Sequence, residues 1–194
     1  MRSLSVLCAV VALGAVAEIG AATAAPDVAS AGPVFSGSGR TSLRPFKVEA
    51  ASTLRWTNDG PIFQIFPRNV AGGGSVNAAA RAGATYLKPG TYMLNVRAVG
   101  NWTVRVVSGA ERPRSLGGGM VGFRGNGRRD LPPFENRRGT KLLWTNSGSI
   151  FQIFSSDFSV AVNSRGKRGS TSIAGGRHQL TVNAIGSWTV RWKP

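Results

Sequence analysis

Apolar and polar residues alternate one by one along four segments of the chain. Every second residue is apolar from Tyr92 to Ala98, from Trp102 to Val106, from Leu180 to Ala184 and from Trp188 to Trp192. Side chains of a β-strand point alternately to opposite faces of its sheet, so a period of two predicts antiparallel strands with one buried face. Short Gly-containing turns between these segments predict two terminal hairpins.

The first half of the chain contains further short runs of this kind. No stretch shows the period of 3.6 residues that indicates an amphipathic helix. Seven or eight short strands in each half of the chain predict an all-β fold, an antiparallel β-sandwich of jelly-roll or immunoglobulin-like topology. The additional predicted strands are Leu43–Glu49, Thr53–Thr57, Ile62–Phe66, Ser75–Ala79 and Thr85–Leu87.

The second half of the chain repeats the first. Three recurring segments pair 35–40 with 123–128, 56–66 with 144–154, and 100–105 with 186–191. A repeat of this length is the size of a small domain. We therefore predict two tandem β-sandwich domains, 35–107 and 120–194, joined by a Gly- and Arg-rich linker over 108–119.

The N-terminus has the pattern of a secretory signal peptide over residues 1–25, followed by a short linker over 26–34. Arg2 precedes the apolar run Leu4–Ala17, and small residues occupy 22–25. Cleavage there would remove Cys8, the only cysteine, so the exported protein would have no thiol and no disulfide. We expect an extracellular or envelope-associated protein with no transmembrane segment after cleavage.

The chain carries 24 Lys and Arg against 8 Asp and Glu, a formal net charge of +16. A field of this sign attracts anionic polymers, whereas the alternative is that the charge only reflects a GC-rich, Arg-rich composition. Three clusters in predicted loops of the second copy are the candidate ligand-binding residues, and they would form one basic rim if their loops share an end of the sandwich. They are Arg128, Arg129, Arg137, Arg138, Arg165, Lys167 and Arg168. Nucleic acid is disfavoured as the ligand because no aromatic residues lie between these charges.

Tryptophan faces serve either as sugar platforms or as core. Trp56, Trp102, Trp144 and Trp188 share the parity of their apolar neighbours, and so does Trp192. This parity predicts that all five pack in the core.

Catalytic groups are sparse. His178 is the only histidine, and its counterpart in the first copy is Tyr92, which favours a packed position over a general base. The carboxylates are scattered and do not recur as pairs between the copies. The sequence shows neither the closely spaced oxygen ligands that calcium uses nor the His and Cys ligands that zinc uses. We therefore expect a non-enzymatic protein without metal or cofactor.

Several motifs of the repeat resemble small β-sandwich modules of secreted bacterial proteins, of the pre-peptidase C-terminal and carbohydrate-binding type. They are Phe-x-Gly-x-Gly, Trp-Thr-Asn, Phe-Gln-Ile-Phe and the closing Gly-x-Trp-Thr-Val. The resemblance covers 35–106 and 123–192 and implies an extracellular module whose ligand is unspecified. It transfers no individual binding residue, since the acidic calcium ligands common in such modules are missing.

Three functional hypotheses follow. The leading one is a binding or scaffold protein that holds a cell-envelope polysaccharide or another anionic polymer with two modules. The second is a structural or protein-interaction protein without a polymer ligand. The third is a small hydrolase that uses His178.

Overall fold

The structure, a computed structural model, describes residues 31–68, 74–157 and 159–194. Within these residues the chain forms nineteen β-strands and no helix, so the all-β prediction is confirmed. No described segment has the long apolar helix needed to span a bilayer. The signal peptide predicted over 1–25 lies outside the described residues.

The strands are β1 Ala31–Ser42, β2 Phe46–Val48, β3 Ser52–Asn58, β4 Phe63–Pro67, β5 Val76–Ala78, β6 Ala82–Leu87, β7 Gly90–Tyr92, β8 Leu94–Ser108, β9 Arg114–Ser115, β10 Val121–Asn126, β11 Arg128–Asp130, β12 Phe134–Asn136, β13 Thr140–Asn146, β14 Phe151–Ser155, β15 Ala161–Ser164, β16 Arg168–Ile173, β17 Gly176–His178, β18 Leu180–Ala184 and β19 Ser187–Trp192.

Strand pairing follows the same scheme in the first half of the chain (β1–β8) and in the second half (β9–β19). In the first half β3 pairs with β6 and β8, β4 pairs with β5 and β8, β1 pairs with β8, and β2 pairs with β7. In the second half β13, β14 and β12 take the places of β3, β4 and β2. The long strands β1 and β8 are each divided there, into β10 and β11 and into β18 and β19.

Each half has two layers, because its long strands run from one sheet into the other. We call the layer of β6, β3, the end of β8 and the start of β1 the front sheet, and the layer of β5, β4 and the remaining parts of β8 and β1 the back sheet. The corresponding front sheet of the second half is β16-β13-β19-β10. The change of layer occurs at Gly39 and Gly100, whose φ values of 63° and 89° favour glycine. Gly127 and Gly186 divide the strands at the same points of the second half. The prediction of two terminal hairpins is therefore wrong, because the segments on either side of Gly100 and of Gly186 do not pair with each other. They pair with β4 and β3 in the first half and with β14 and β13 in the second.

Buried hydrophobic side chains form two separate clusters, one in each half. The first contains only residues between Leu43 and Val106, and the second only residues between Phe123 and Trp192. Rings from the two layers meet inside each cluster: the ring centroids of Trp56 and Phe63 are 4.6 Å apart. All five tryptophans are at most 6% exposed, which confirms that they are core residues.

Four of these tryptophans pack across a strand pair onto a glycine. The register partners are Trp102 and Gly37, Trp56 and Gly83, Trp188 and Gly125, and Trp144 and Gly169. A Cβ atom added at Gly37 would lie 2.7 Å from Cζ2 of Trp102, closer than packed carbon atoms allow. Glycine is therefore required at these positions because the indole ring occupies the place of its side chain.

The two halves join through parallel pairing of β6 with β11. Arg128 is opposite Gly83 and Arg129 is opposite Ala84, so the front sheet of the first half continues into the back sheet of the second. Together with β4 and β5, which pair through β8, these strands form one ten-stranded sheet. A Cβ atom at Gly83 would collide with the carbonyl oxygen of Arg128 as well as with the Trp56 ring. The junction thus requires a glycine on β6.

The glycine-rich segment at the start of the first half forms a strand that the sequence patterns did not predict. Strand β1 begins at Ala31, inside the predicted linker 26–34, and pairs along most of β8. In the predicted linker 108–119, β9 pairs with β10. Both segments therefore belong to the sheets.

We predict that Gly37→Ala destabilises the protein by about 1–3 kcal/mol, because the methyl group overlaps the Trp102 ring. Chemical unfolding of the single variants and of the double variant with Trp102→Ala measures the coupling between the two positions. Trp102→Ala alone should cost about 3–5 kcal/mol, and Gly37→Ala should cost less once the ring is absent.

Gly139→Ala is the matched control, since its Cβ would meet only atoms at 3.6–4.0 Å. Its unfolding free energy should stay within about 0.5 kcal/mol of the wild type. Equal losses for Gly37→Ala with and without Trp102 would show that the ring does not impose the glycine.

Candidate functional site

Two of the predicted ligand-binding residues, Arg128 and Arg129, lie at the junction between the halves and form ion pairs there. Arg129 Nη1 lies 2.7 Å from Oε2 of Glu111, and Arg128 Nη2 lies 3.3 Å from Oδ1 of Asp130. Arg128 also donates to the carbonyl oxygen of Asn77 at 3.3 Å. Only about a fifth of each arginine side chain is exposed. Arg128 therefore links the two halves through Asn77, whereas Arg129 pairs with the segment between β8 and β9.

Burial raises the pKa of the Asp130 carboxyl group. The positive charge of Arg128 and the hydrogen bond from the Thr181 hydroxyl, at 2.8 Å, act in the opposite direction. The raised pKa identifies Asp130 as a carboxylate that the junction desolvates, with Arg128 as its counter-charge.

The other two predicted clusters lie at opposite ends of β13. Arg137 and Arg138 precede the first residue of β13, Thr140. The turn 165–168 follows β15 and lies next to the last residues of β13. A strand of seven residues spans about 20 Å at roughly 3.3 Å per residue. These loops therefore do not share an end of the sandwich, and the condition for a single basic rim is not met.

One of these clusters borders the front sheet of the second half. Arg168 is the first residue of β16 and is opposite Thr145 of β13. Lys167 Nζ donates to the carbonyl oxygens of Ser147 and Gly148 at 2.7 and 2.9 Å, which fixes this turn against the end of β13. Arg165 is exposed on the same turn.

The outward face of this front sheet carries a row of four polar residues, one from each strand. Arg124 is opposite Thr189, Thr189 is opposite Thr145, and Thr145 is opposite Arg168. Their neighbours on the opposite face are Trp188, Trp144 and the glycines beneath the indole rings, so the row itself points outward. We call Arg124, Thr189, Thr145 and Arg168 the outward row.

The surroundings of the outward row are basic and rich in hydroxyl groups. Arg191 and Lys141 share the outward parity, and the strands β10, β13, β16 and β19 contain no Asp or Glu. An open concavity of about 710 Å³ is lined by Arg124, Thr189 and Thr145 of the row but not by Arg168. Its other polar lining residues are Asn126, Arg129, Asn146, Ser147 and Ser187.

The first half has the same strands but different residues in the corresponding row. Ser36, Thr103, Thr57 and Ala82 follow one another across β1, β8, β3 and β6. The two threonines are retained, whereas both terminal arginines are replaced by small uncharged residues. The basic pair on this face is instead Arg55 and Arg105, which are direct register partners.

His178 is a packed residue. It is 7% exposed, its Nε2 lies 2.9 Å from the carbonyl oxygen of Ala174, and its ring is next to Phe134. Tyr92 at the equivalent position of the first half donates its hydroxyl to the carbonyl oxygen of Lys88 at 2.8 Å. Since a carbonyl oxygen only accepts, Nε2 carries the proton in this arrangement. Both side chains therefore anchor the same turn.

Arg124 and both threonines of the outward row are absent from the residues predicted as ligand-binding. They stand as single residues within strands, and the prediction relied on charges clustered along the sequence. The recurring Trp-Thr dipeptides at 144–145 and 188–189 are the available sequence signal, because they put a threonine on the face opposite each buried tryptophan. Among the described residues, no group of three His, Cys, Asp or Glu side chains is placed to hold a metal ion.

No protein-family model matches the chain, and no curated protein matches it. Matches among solved structures include AerE from Microcystis aeruginosa, with 5% sequence identity over 82% of this chain and 84% of that one and a TM-score of 0.27. A cupin 2 conserved barrel domain protein from Leptotrichia buccalis matches with 9% identity, coverage of 82% and 80%, and a TM-score of 0.29. Vicilin from Corylus avellana (hazelnut) matches with 10% identity, coverage of 82% and 72%, and a TM-score of 0.27. TM-scores this low do not establish a shared fold, so the resemblance to secreted β-sandwich modules stays a prediction.

We predict that His178→Tyr folds with a loss of less than about 1.5 kcal/mol, because the first half already uses tyrosine for the same hydrogen bond. His178→Ala should cost about 1–3 kcal/mol more, since it leaves the Ala174 carbonyl oxygen without its partner. Thermal and denaturant unfolding measure both changes. A hydrolytic activity of the pure protein that disappears in His178→Tyr would instead identify the histidine as catalytic.

Proposed function

We propose that this chain is an exported, non-catalytic binding protein whose second half holds an anionic polymer of the cell envelope on its front sheet. The observation that carries the proposal is the outward row, in which guanidinium groups flank two threonine hydroxyls. Export rests on the N-terminal sequence pattern. A non-catalytic role is supported by the packed position of His178.

The geometry of the row suits an extended polyanion. Arg124 and Arg168 are three inter-strand spacings of about 4.8 Å apart, roughly 14 Å in total. Guanidinium groups bind sulfate, phosphate or carboxylate in bidentate fashion, and threonine hydroxyls donate hydrogen bonds between them. The concavity beside Arg124, Thr189 and Thr145 is open, which favours a polymer chain over an enclosed small molecule.

Electrostatics favour the same ligand. The front-sheet strands of the second half carry arginine and lysine without a carboxylate, within a chain of net charge +16. Such a face concentrates polyanions and accelerates their association. The difference between the two rows also argues against a purely compositional origin of the charge, since the same fold accommodates Ser36 and Ala82 at the equivalent positions.

We also propose that the two halves are tandem β-sandwich domains, as predicted for 35–107 and 120–194. The separate hydrophobic clusters and the repeated pairing scheme support this division. The contact between β6 and β11 would then set the orientation of one domain on the other.

The proposal predicts that replacing the two arginines of the row by their first-half counterparts weakens polymer binding. In Arg124→Ser/Arg168→Ala, affinity for sulfated dextran at about 50 mM salt should fall. The slope of log K against log salt should flatten by roughly one to two units, because each lost contact no longer releases a counterion. Titration calorimetry or fluorescence anisotropy between about 50 and 200 mM salt measures both quantities.

Arg137→Ala/Arg138→Ala is the matched control, because it removes the same charge at the far end of β13. Its slope should stay close to that of the wild type. Equal losses for the two double variants would mean that net charge alone attracts the polymer. Absence of binding by the wild type would favour the structural or protein-interaction hypothesis.

A further inference from the structure

The junction between the halves encloses a second, narrower cleft. It has a volume of about 390 Å³ and takes residues from both halves, which neither half provides alone. Thr85 and Tyr86 come from β6, Arg128 and Asp130 from β11, and Phe154 from β14. Volumes of about 300–1,000 Å³ are typical of small-ligand pockets.

The polar groups of this cleft include both donors and acceptors. Asp130 accepts hydrogen bonds from Arg128 and from Thr181. The hydroxyl group of Thr85, a residue that is 1% exposed, has no hydrogen-bond partner among the described residues. Arg128 Nε is also buried without a partner among the described residues. Both atoms are screened from solvent, so the charged groups that a ligand in the cleft reaches are the partly exposed Arg128 guanidinium and Asp130 carboxylate.

The charges of the cleft balance each other. Asp130 is a largely buried carboxylate whose counter-charge is Arg128, at 3.3 Å. The Asp130 carboxylate would repel an anionic ligand and the Arg128 guanidinium would repel a cationic ligand, so both kinds of ligand are disfavoured. A neutral molecule with several hydroxyl groups can donate to the carboxylate and accept from the guanidinium and hydroxyl groups at once.

Two aromatic side chains complete the lining. Tyr86 and Phe154 are each partly exposed and border the same cleft as the Asp130–Arg128 pair. A pyranose ring has apolar C–H faces that pack on aromatic rings and hydroxyl groups around its edge. A cleft with aromatic rings beside a carboxylate–guanidinium pair therefore matches a sugar ring better than a purely apolar ligand.

The residues that define the cleft differ between the two copies. Ser172 occupies the position of Tyr86 on the second copy of this strand, and Ser42 occupies the position of Asp130 on the first copy. The equivalent edges of β16 and of β1 therefore lack both the aromatic and the acidic group. The junction combines the Tyr86-bearing strand of one half with the Asp130-bearing strand of the other.

We propose that the cleft between β6 and β11 binds a neutral saccharide unit, with Tyr86 and Phe154 against the ring and Asp130 and Arg128 on its hydroxyl groups. This site is separate from the outward row and does not rest on the binding of an anionic polymer. A chain with both sites would recognise a neutral sugar at the junction and negative charge on the front sheet.

The test uses the full chain with two neutral trisaccharides, maltotriose and N,N′,N″-triacetylchitotriose, as probes. At least one should bind with a millimolar or tighter Kd that is unchanged between about 50 and 200 mM salt, since no net charge is neutralised. In Tyr86→Ser and in Asp130→Ser, which introduce the residues of the other copy, binding should weaken at least tenfold. Tyr86→Phe should retain most of the affinity. Titration followed by NMR gives each Kd.

Phe66→Ala is the control, because Phe66 is the first-half counterpart of Phe154 and lies outside the cleft. It should bind the trisaccharide like the wild type, and Tyr86→Ser should bind sulfated dextran like the wild type. Failure of both trisaccharides to bind, or wild-type affinity in folded Tyr86→Ser and Asp130→Ser, would overturn the saccharide site. Neither result depends on the outward row, so failure of one proposal is distinguishable from failure of the other.

Discussion

Each tryptophan of the repeated Trp-Thr motifs packs its indole ring onto a glycine of the neighbouring strand, and this contact sets the register of the front sheets. A slip of one residue would move every inward side chain to the outside. Because Trp188 is held on Gly125, the next pair along the strands is Thr189 with Arg124. Because Trp144 is held on Gly169, the next pair is Thr145 with Arg168. The outward row is therefore a direct consequence of the packing beneath it.

The two halves share one strand-pairing scheme but have different surface residues. Inward positions are nearly interchangeable, as Tyr92 and His178 show by bonding to equivalent carbonyl oxygens. Outward positions differ, from Ser36 and Ala82 in one copy to Arg124 and Arg168 in the other. The junction adds a further difference, since it desolvates Asp130 next to Arg128 in one copy only. Core packing constrains the inward positions, whereas the outward positions can change to ligand-binding residues without disturbing the core.

Much of this fold could be predicted from local patterns. The alternation from Tyr92 to Ala98 depends only on which residues are apolar, and so do the burial of the tryptophans and the repeat itself. The sequence pattern did not predict strand β1, because its glycines have no side chain to contribute to the alternation of apolar and polar residues. The indole ring that packs on Gly37 belongs to Trp102, which is distant in sequence. The β6–β11 pairing likewise depends on small residues such as Gly83, which give no hydrophobic signal.

The candidate site was predicted less well, for a related reason. Arginines that are clustered along the sequence suggest one surface, yet Arg128 and Arg129 form ion pairs with Asp130 and Glu111, and Arg137 lies at the far end of β13. Residues that do share a face, such as Arg124 and Arg168, are distant in sequence and meet only through strand register.

Mapping the polymer contact on the full chain by NMR tests the central claim most directly. On addition of sulfated dextran, the account predicts that the largest shift changes fall on Arg124, Thr145, Arg168 and Thr189, with little change at Arg137 and Arg138. Shift changes spread evenly over all exposed arginines, or centred on the first half, would contradict a site on the front sheet of the second half.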